Sequence, residues 1–95
     1  MAYYVVLSTL TDEGRETIKK HPERILEVNR EIEEKLGVKV LQQFAVLGPY
    51  DFVNIVEAPD NTAIAKMSVE LGSRGTVQLM SMPAIPVEEF VKMLK

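Results

Sequence analysis

The order of strand-type and helix-type patterns is the feature that most constrains the fold of this chain. Runs rich in β-branched, aliphatic and aromatic residues occupy residues 3–10, 39–47, 51–58 and 76–82. Apolar residues with helical spacing lie between the first two runs and between the last two: Ile18, Ile25, Val28, Ile32 and Leu36, then Ile64, Met67 and Leu71. The resulting order β, α, β, β, α, β predicts an α+β domain of the ferredoxin-like type, with an antiparallel sheet and both main helices on one face.

Turn-forming residues agree with this order. The Gly-Pro-Tyr sequence at residues 48–50 predicts a β-hairpin between the second and third strands. Gly37 and Gly72 are expected to end the two helices. Pro22 predicts a kink or a restart inside the first helical segment, and Pro86 begins a short C-terminal helix. We therefore expect residues 1–95 to form a single domain.

Sorting the strand residues by odd and even number predicts two apolar sheet faces. The odd-numbered face, expected to carry the helices, has few polar members: Tyr3, Val5, Leu7, Leu41, Ala45, Leu47, Val53, Ile55, Val77 and Leu79. The even-numbered face adds one neutral polar residue per strand: Tyr4, Val6, Ser8, Val40, Gln42, Phe44, Phe52, Asn54, Val56, Gln78, Met80 and Met82. Because a solvated sheet face normally carries strongly polar side chains, we expect the even-numbered face to be covered.

Two coverings of that face are open. The simplest is the same face of a second copy related by two-fold symmetry, which gives a homodimer or higher homo-oligomer with a dimeric α/β barrel. The alternative is that the C-terminal helix folds back over part of the face. Inside a barrel, Ser8, Gln42, Asn54 and Gln78 would either contact a small metabolite or hydrogen-bond one another and trapped water.

Three loops meet at one end of the predicted sheet, where strand one ends, the hairpin turns and strand four begins. Loops on a rigid scaffold often hold binding groups, and glycines permit close approach of a ligand. A purely structural interpretation is also open, in which these residues form a turn, cap the core and accept backbone hydrogen bonds. The candidate ligand-binding residues are Gly48, Tyr50, Asp51 and Arg74 at this end, together with Ser8 and Asn54 in the sheet.

Composition argues against several functional classes. The chain has no cysteine and one histidine, His21, so we expect no disulfide, no metal site and no cofactor. The net charge is −3 without a dense cluster of Lys and Arg, which argues against a nucleic-acid partner. No apolar stretch is long enough to span a membrane and no basic segment opens the chain, so we expect no membrane association and a cytoplasmic location.

Short motifs along the whole chain resemble the GYD domain family of small bacterial and archaeal proteins. They are YVVL (4–7), LTDEGR (10–15), PER (22–24), GVK (37–39), GPYD (48–51), VEAPD (56–60) and LGSRG (71–75). The family's Gly-Tyr-Asp signature stands here as Gly48, Tyr50 and Asp51, with Pro49 in the variable place. The family is similar to the dimeric α/β barrel superfamily, so the resemblance implies the same fold and a dimer. Its relatives include cofactor-free oxygenases, isomerases and ligand-sensing domains, which bear on function by fold analogy alone.

Three hypotheses about function follow. The first is a non-catalytic oligomeric module, sensory or small-molecule-binding, with its ligand at the sheet–sheet interface or at the end formed by residues 48–51. The second is a small cofactor-free enzyme of the oxygenase or isomerase type, with Tyr50 and Asp51 handling protons. The third is a structural assembly protein. The first is favoured because His21 has no hydroxyl partner with which to form a nucleophile–base pair, and because the sheet lining is neutral.

Overall fold

The computed structural model describes residues 1–95 and has the predicted element order. The strands are β1 (Ala2–Leu10), β2 (Lys39–Ala45), β3 (Phe52–Ala58) and β4 (Val77–Ala84), and the helices are α1 (Asp12–Lys20), α2 (Arg24–Leu36), α3 (Asn61–Gly72) and α4 (Val87–Met93). All strand pairs are antiparallel, in the order β2-β3-β1-β4. This ferredoxin-like arrangement confirms the predicted fold class. None of the helices has the length and apolar character that a bilayer span requires.

Side-chain caps set the start of two helices. The hydroxyl of Thr11 accepts a hydrogen bond from the backbone N–H of Gly14 at 3.1 Å and begins α1. The carboxylate of Asp60 accepts one from the backbone N–H of Ala63 at 2.9 Å and begins α3. Each cap satisfies an amide that has no partner within its own helix. The chain therefore turns from strand to helix at positions that its local sequence specifies.

The helix ends follow the predictions in part. Pro22 lies in a turn between α1 and α2, so the first helical segment restarts there instead of bending. Gly37 ends α2 with a left-handed φ of 70°. Gly72 is the last residue of α3, as predicted, but it does not form a left-handed cap: the cap is Ser73, which is right-handed. The left-handed turn comes instead at Gly75, with a φ of 78°.

The sheet faces predicted from residue number are wrong for β1 and β3. The helices cover their even-numbered residues, which form the core together with α2 and α3: Tyr4, Val6, Val56 and Ala58 pack with Ile32, Ile64, Met67 and Leu71. In β4 the odd-numbered Val77 and Leu79 pack against that core, as predicted. The physical reason is the pairing register, which no single strand specifies.

Two features of the register mix odd and even residues on each face. Val5 of β1 is paired with Met82 of β4, so the numbering parity changes from one strand to the next. In β2 an irregularity between Val40 and Gln42 inserts an extra residue, so Gln42 pairs with Ile55 and the parity changes along the strand. The face that the helices leave free, here called the open face, consists of Tyr3, Val5, Leu7, Thr9, Gln42, Phe44, Val53, Ile55, Gln78, Met80 and Met82.

The open face is apolar and accessible. Phe44, Met80 and Met82 are exposed, and the remaining aliphatic members are partly exposed. Helix α4 does not cover the face, because all of its residues, including Phe90 and Val91, are themselves exposed. The second apolar face inferred from the sequence therefore exists, although other residues form it in β1 and β3.

Candidate functional site

The loops at one end of the sheet meet as predicted. The backbone N–H of Thr11, after β1, donates to the carbonyl of Thr76, before β4, at 3.1 Å. The Thr11 hydroxyl donates to the carbonyl of Gly75 at 2.8 Å. From the hairpin, the carboxylate of Asp51 accepts from the backbone N–H of Leu10 at 2.7 Å. Three segments that are far apart in the sequence are thus joined by direct hydrogen bonds.

Asp51 is bonded through its backbone and its side chain. Its backbone N–H donates to the carbonyl of Ser8 at 2.9 Å, and its carbonyl accepts from Val46 at 2.8 Å. The carboxylate oxygen that binds Leu10 also lies 3.6 Å from a guanidinium nitrogen of Arg15 in α1. These contacts match the structural interpretation of Asp51, in which its carboxylate fastens the end of β1 to the hairpin.

Tyr50 and Gly48 do not share the surroundings of the Asp51 carboxylate. The Tyr50 hydroxyl lies 3.8 Å from the sulfur of Met80, a residue of the open face. Gly48 adopts a φ of 124° in the hairpin loop, and no atom lies within 4 Å of the place where its Cβ would be. The glycine therefore serves the turn, the tyrosine borders the open face, and the aspartate holds β1.

Arg74 links two helices instead of joining the loop end. Its Nη2 donates to the carboxylates of Glu31 in α2 and of Glu70 in α3, the latter at 3.0 Å. The hydrogen bond from Arg74 lowers the pKa of Glu31, and the same bond raises the pKa of Arg74. The other terminal nitrogen, Nη1, is buried and has no hydrogen-bond partner in the chain.

A cavity of about 260 Å³ lies between the helices and the sheet. Ser8, Asn54 and Arg74 of the six candidate residues line it, whereas Gly48, Tyr50 and Asp51 do not. Much of the remaining wall is aliphatic, including Val6, Ile18, Ile25, Val28, Ile32 and Leu79. The candidate residues thus divide between this cavity and the loop end.

Three side-chain amides form a hydrogen-bonded chain along the cavity. Asn29 of α2 donates to Gln43, Gln43 donates to Asn54, and Asn54 donates to the carbonyl of Val6, each at 2.8 Å. The chain runs from α2 across β2 and β3 to β1, which satisfies the buried Asn54. We call Asn29, Gln43 and Asn54 the amide chain.

Sequence reasoning identified only one member of the amide chain. Gln43 follows the irregularity in β2 and lies on the helix side, whereas the glutamine considered from the sequence, its neighbour Gln42, lies on the open face. Asn29 directly follows Val28 of the apolar helical stripe. An amide at the edge of a buried stripe could have indicated a polar contact with the sheet. The predicted quartet also divides, since Ser8 and Asn54 lie beneath the helices and Gln42 and Gln78 lie on the open face.

Comparisons of sequence relate the whole chain to one family. A family model described as the GYD domain matches residues 4–94. The glutamine synthetase and cystathionine beta-lyase binding protein of Thermus thermophilus is 55% identical over 95 residues, which is 100% of both chains.

Two crystal structures are similar to this fold. MtbAldR has a TM-score of 0.67 and 19% identity over 90% of this chain, which spans about half (52%) of the length of MtbAldR. TTHA0845 from Thermus thermophilus has a TM-score of 0.55 and 20% identity, covering 90% of this chain and 95% of that one. At these identities the likeness concerns the fold alone.

Proposed function

The chain belongs to the GYD domain family, and from that premise we propose that it is a small dimeric module that binds another protein. The observation that carries the proposal is its 55% identity, from end to end, to a Thermus protein named for binding two enzymes. A fold by itself hosts many functions, but this identity extends over 100% of both chains and is far above that of the proteins that share only the fold. The proposed partners are the glutamine synthetase and the cystathionine beta-lyase of the organism that produces this chain.

The open face supports dimerisation by the same proposal. Its polar members, Thr9, Gln42 and Gln78, are neutral, and its interior otherwise consists of aliphatic, aromatic and methionine side chains. The charged residues at its edge, Lys39 and Glu57, are direct partners across β2 and β3 and have opposite signs. Packing this face on a second copy would bury apolar surface without bringing like charges together.

The geometry of the loop end supports binding over catalysis. The Tyr50 hydroxyl contacts Met80 of the open face, whereas the Asp51 carboxylate bonds to the Leu10 amide and lies near Arg15 of α1. A proton-handling pair must reach one substrate together. Tyr50 and Asp51 contact different layers of the molecule in this arrangement.

Titration calorimetry with the two purified enzymes tests the proposed partners. We expect saturable binding of at least one enzyme, with a dissociation constant of about 10 µM or tighter. An unrelated acidic protein of similar size, titrated under the same conditions, serves as the control for non-specific association. Absence of a binding signal with both enzymes at concentrations of about 100 µM would contradict the proposal.

A further inference from the structure

We propose that the cavity beneath the helices is a binding site for a small carboxylate with an apolar body. The cavity measures about 260 Å³, the share of liquid volume of about nine water molecules. Most of its wall is apolar and a few polar groups converge on it, which is the usual composition of a small-molecule site. The site is independent of any protein partner.

The free N–H donors of the cavity wall, and not its net charge, favour an anion, because Glu27, Glu31 and Glu70 already pair with the wall arginines from outside. Two arginines, Arg24 and Arg74, line the cavity, and no aspartate or glutamate does, although the whole chain has a net charge of −3. The buried Nη1 of Arg74 has no hydrogen-bond partner in the chain, so it has donors available for a carboxylate. A guanidinium also offers its donors in a planar fork that matches a carboxylate.

The existing ion pairs of these arginines leave donors free. Arg74 uses Nη2 for both Glu31 and Glu70, and Arg24 contacts Glu27 through Nη1 at 3.4 Å. A guanidinium carries five N–H donors, so Arg74 can keep both of its glutamate contacts, and Arg24 its one, while either binds a further anion. The glutamates would hold the guanidinium groups in place for that anion.

The amide chain supplies a second group of polar contacts. Each of its members donates one N–H within the chain, and each amide nitrogen carries two. The second N–H of Asn29, Gln43 or Asn54 is therefore available to a polar group of the ligand. The aliphatic wall, which includes Ile18, Ile25 and Val28, suits the apolar body.

Nuclear magnetic resonance titration with a matched pair of probes tests the site. Sodium hexanoate and 1-hexanol share an apolar body and differ in the carboxylate. We expect hexanoate to shift the side-chain NH₂ signals of Gln43 and Asn54 with saturation, and 1-hexanol to bind about tenfold more weakly. Saturable shifts of equal affinity for both probes, or no saturable shift with hexanoate, would overturn the proposal.

Substitutions in the cavity wall test where hexanoate binds and which side chain makes the site prefer it to 1-hexanol. Val28→Phe places a larger side chain in the cavity wall and is expected to abolish hexanoate binding, whereas Leu26→Phe, exposed on the same helix and outside the cavity, should retain it. Arg74→Gln should reduce the preference for hexanoate over 1-hexanol, with Arg24 as the remaining guanidinium, independently of whether Val28→Phe folds. Retained hexanoate binding in a folded Val28→Phe, or unchanged selectivity in Arg74→Gln, would contradict the assignment.

Discussion

Gly14 lies where α1 passes against the start of β4, and it has no room for a side chain. A Cβ on this buried residue would lie 2.0 Å from the carbonyl oxygen of Thr76. The same carbonyl accepts the backbone N–H of Thr11, so the oxygen cannot move away without loss of that bond. The close contact between α1 and the chain before β4 therefore requires glycine at this position.

Replacing Gly14 with alanine should destabilise the protein by about 1–3 kcal/mol, because the overpacked methyl group must displace backbone. In an unobstructed helix the same change would stabilise by about 1 kcal/mol. Gly72→Ala is the matched control, since Gly72 is also helical and nothing lies within 4 Å of its Cβ position. Urea unfolding followed by circular dichroism compares the two variants, and equal effects of the same sign would contradict this account.

Asp51→Ala should lower the free energy of unfolding by about 1–3 kcal/mol, because the N–H of Leu10 loses its acceptor. Asp51→Asn keeps an acceptor oxygen and should cost less. Asp12→Asn is the control. The Asp12 carboxylate is exposed and contacts Nη1 of Arg15, the terminal nitrogen that does not face Asp51, so its replacement should change the free energy of unfolding little. Denaturant titration measures all three, and unchanged stability in Asp51→Ala would refute the structural role.

At the scale of the elements, α2 and α3 are joined by charge as well as by packing. Arg74, just after α3, binds Glu31 of α2 and Glu70 of α3. The pKa of Glu31 is lowered from its ordinary value of 4.5, mainly by the hydrogen bond from Arg74. A carboxylate whose pKa falls on folding stabilises the folded state only while it is ionised.

The contribution of Glu31 to stability should therefore depend on pH. Its stabilising effect is fully present above pH 4.5, the ordinary pKa, and is lost as the pH falls through the lowered pKa of the folded state. We expect Glu31→Gln to be less stable than the parent at neutral pH and equally stable in strong acid. Thermal unfolding across this pH range measures the difference. Glu33→Gln, in the same helix but without an ion pair, should show no such change.

In the whole molecule, the two-layer arrangement leaves one side of the sheet, the open face, without a covering layer. The helices that form the core, α2 and α3, belong to one side of the sheet, and α4 is exposed throughout. Val5 lies in the interior of this face, paired with Ile55 on one side and Met82 on the other. In a two-fold dimer, a charged side chain at this position would meet either its own copy or the apolar residues of the second subunit.

Val5→Lys should convert the proposed dimer to a folded monomer, because a buried unpaired charge opposes association. Val69→Lys, on the exposed surface of α3, is the control and should remain dimeric. Light scattering coupled to size-exclusion chromatography at low micromolar concentration measures the mass. A monomeric parent protein, or a dimeric Val5→Lys, would exclude the open face as the interface.

The helices and strands of this protein could be predicted from its amino-acid sequence alone. Local signals act over a few residues, so strand-type runs, helical spacing and the hairpin turn at residues 48–50 were sufficient for the element order and fold class. The presence of apolar residues on both sheet faces was also predictable, because the strands carry apolar residues at odd and at even positions.

Only the tertiary structure decided which sheet face the helices cover and which polar groups meet. The pairing of Val5 with Met82 and the irregularity before Gln42 reverse the numbering parity between and within strands. They place Gln43 beside Asn54 in the cavity wall, while Arg74 reaches Glu31 from another element. Register and side-chain contacts of this kind depend on segments far apart in the chain, whereas periodicity reports only on each segment alone.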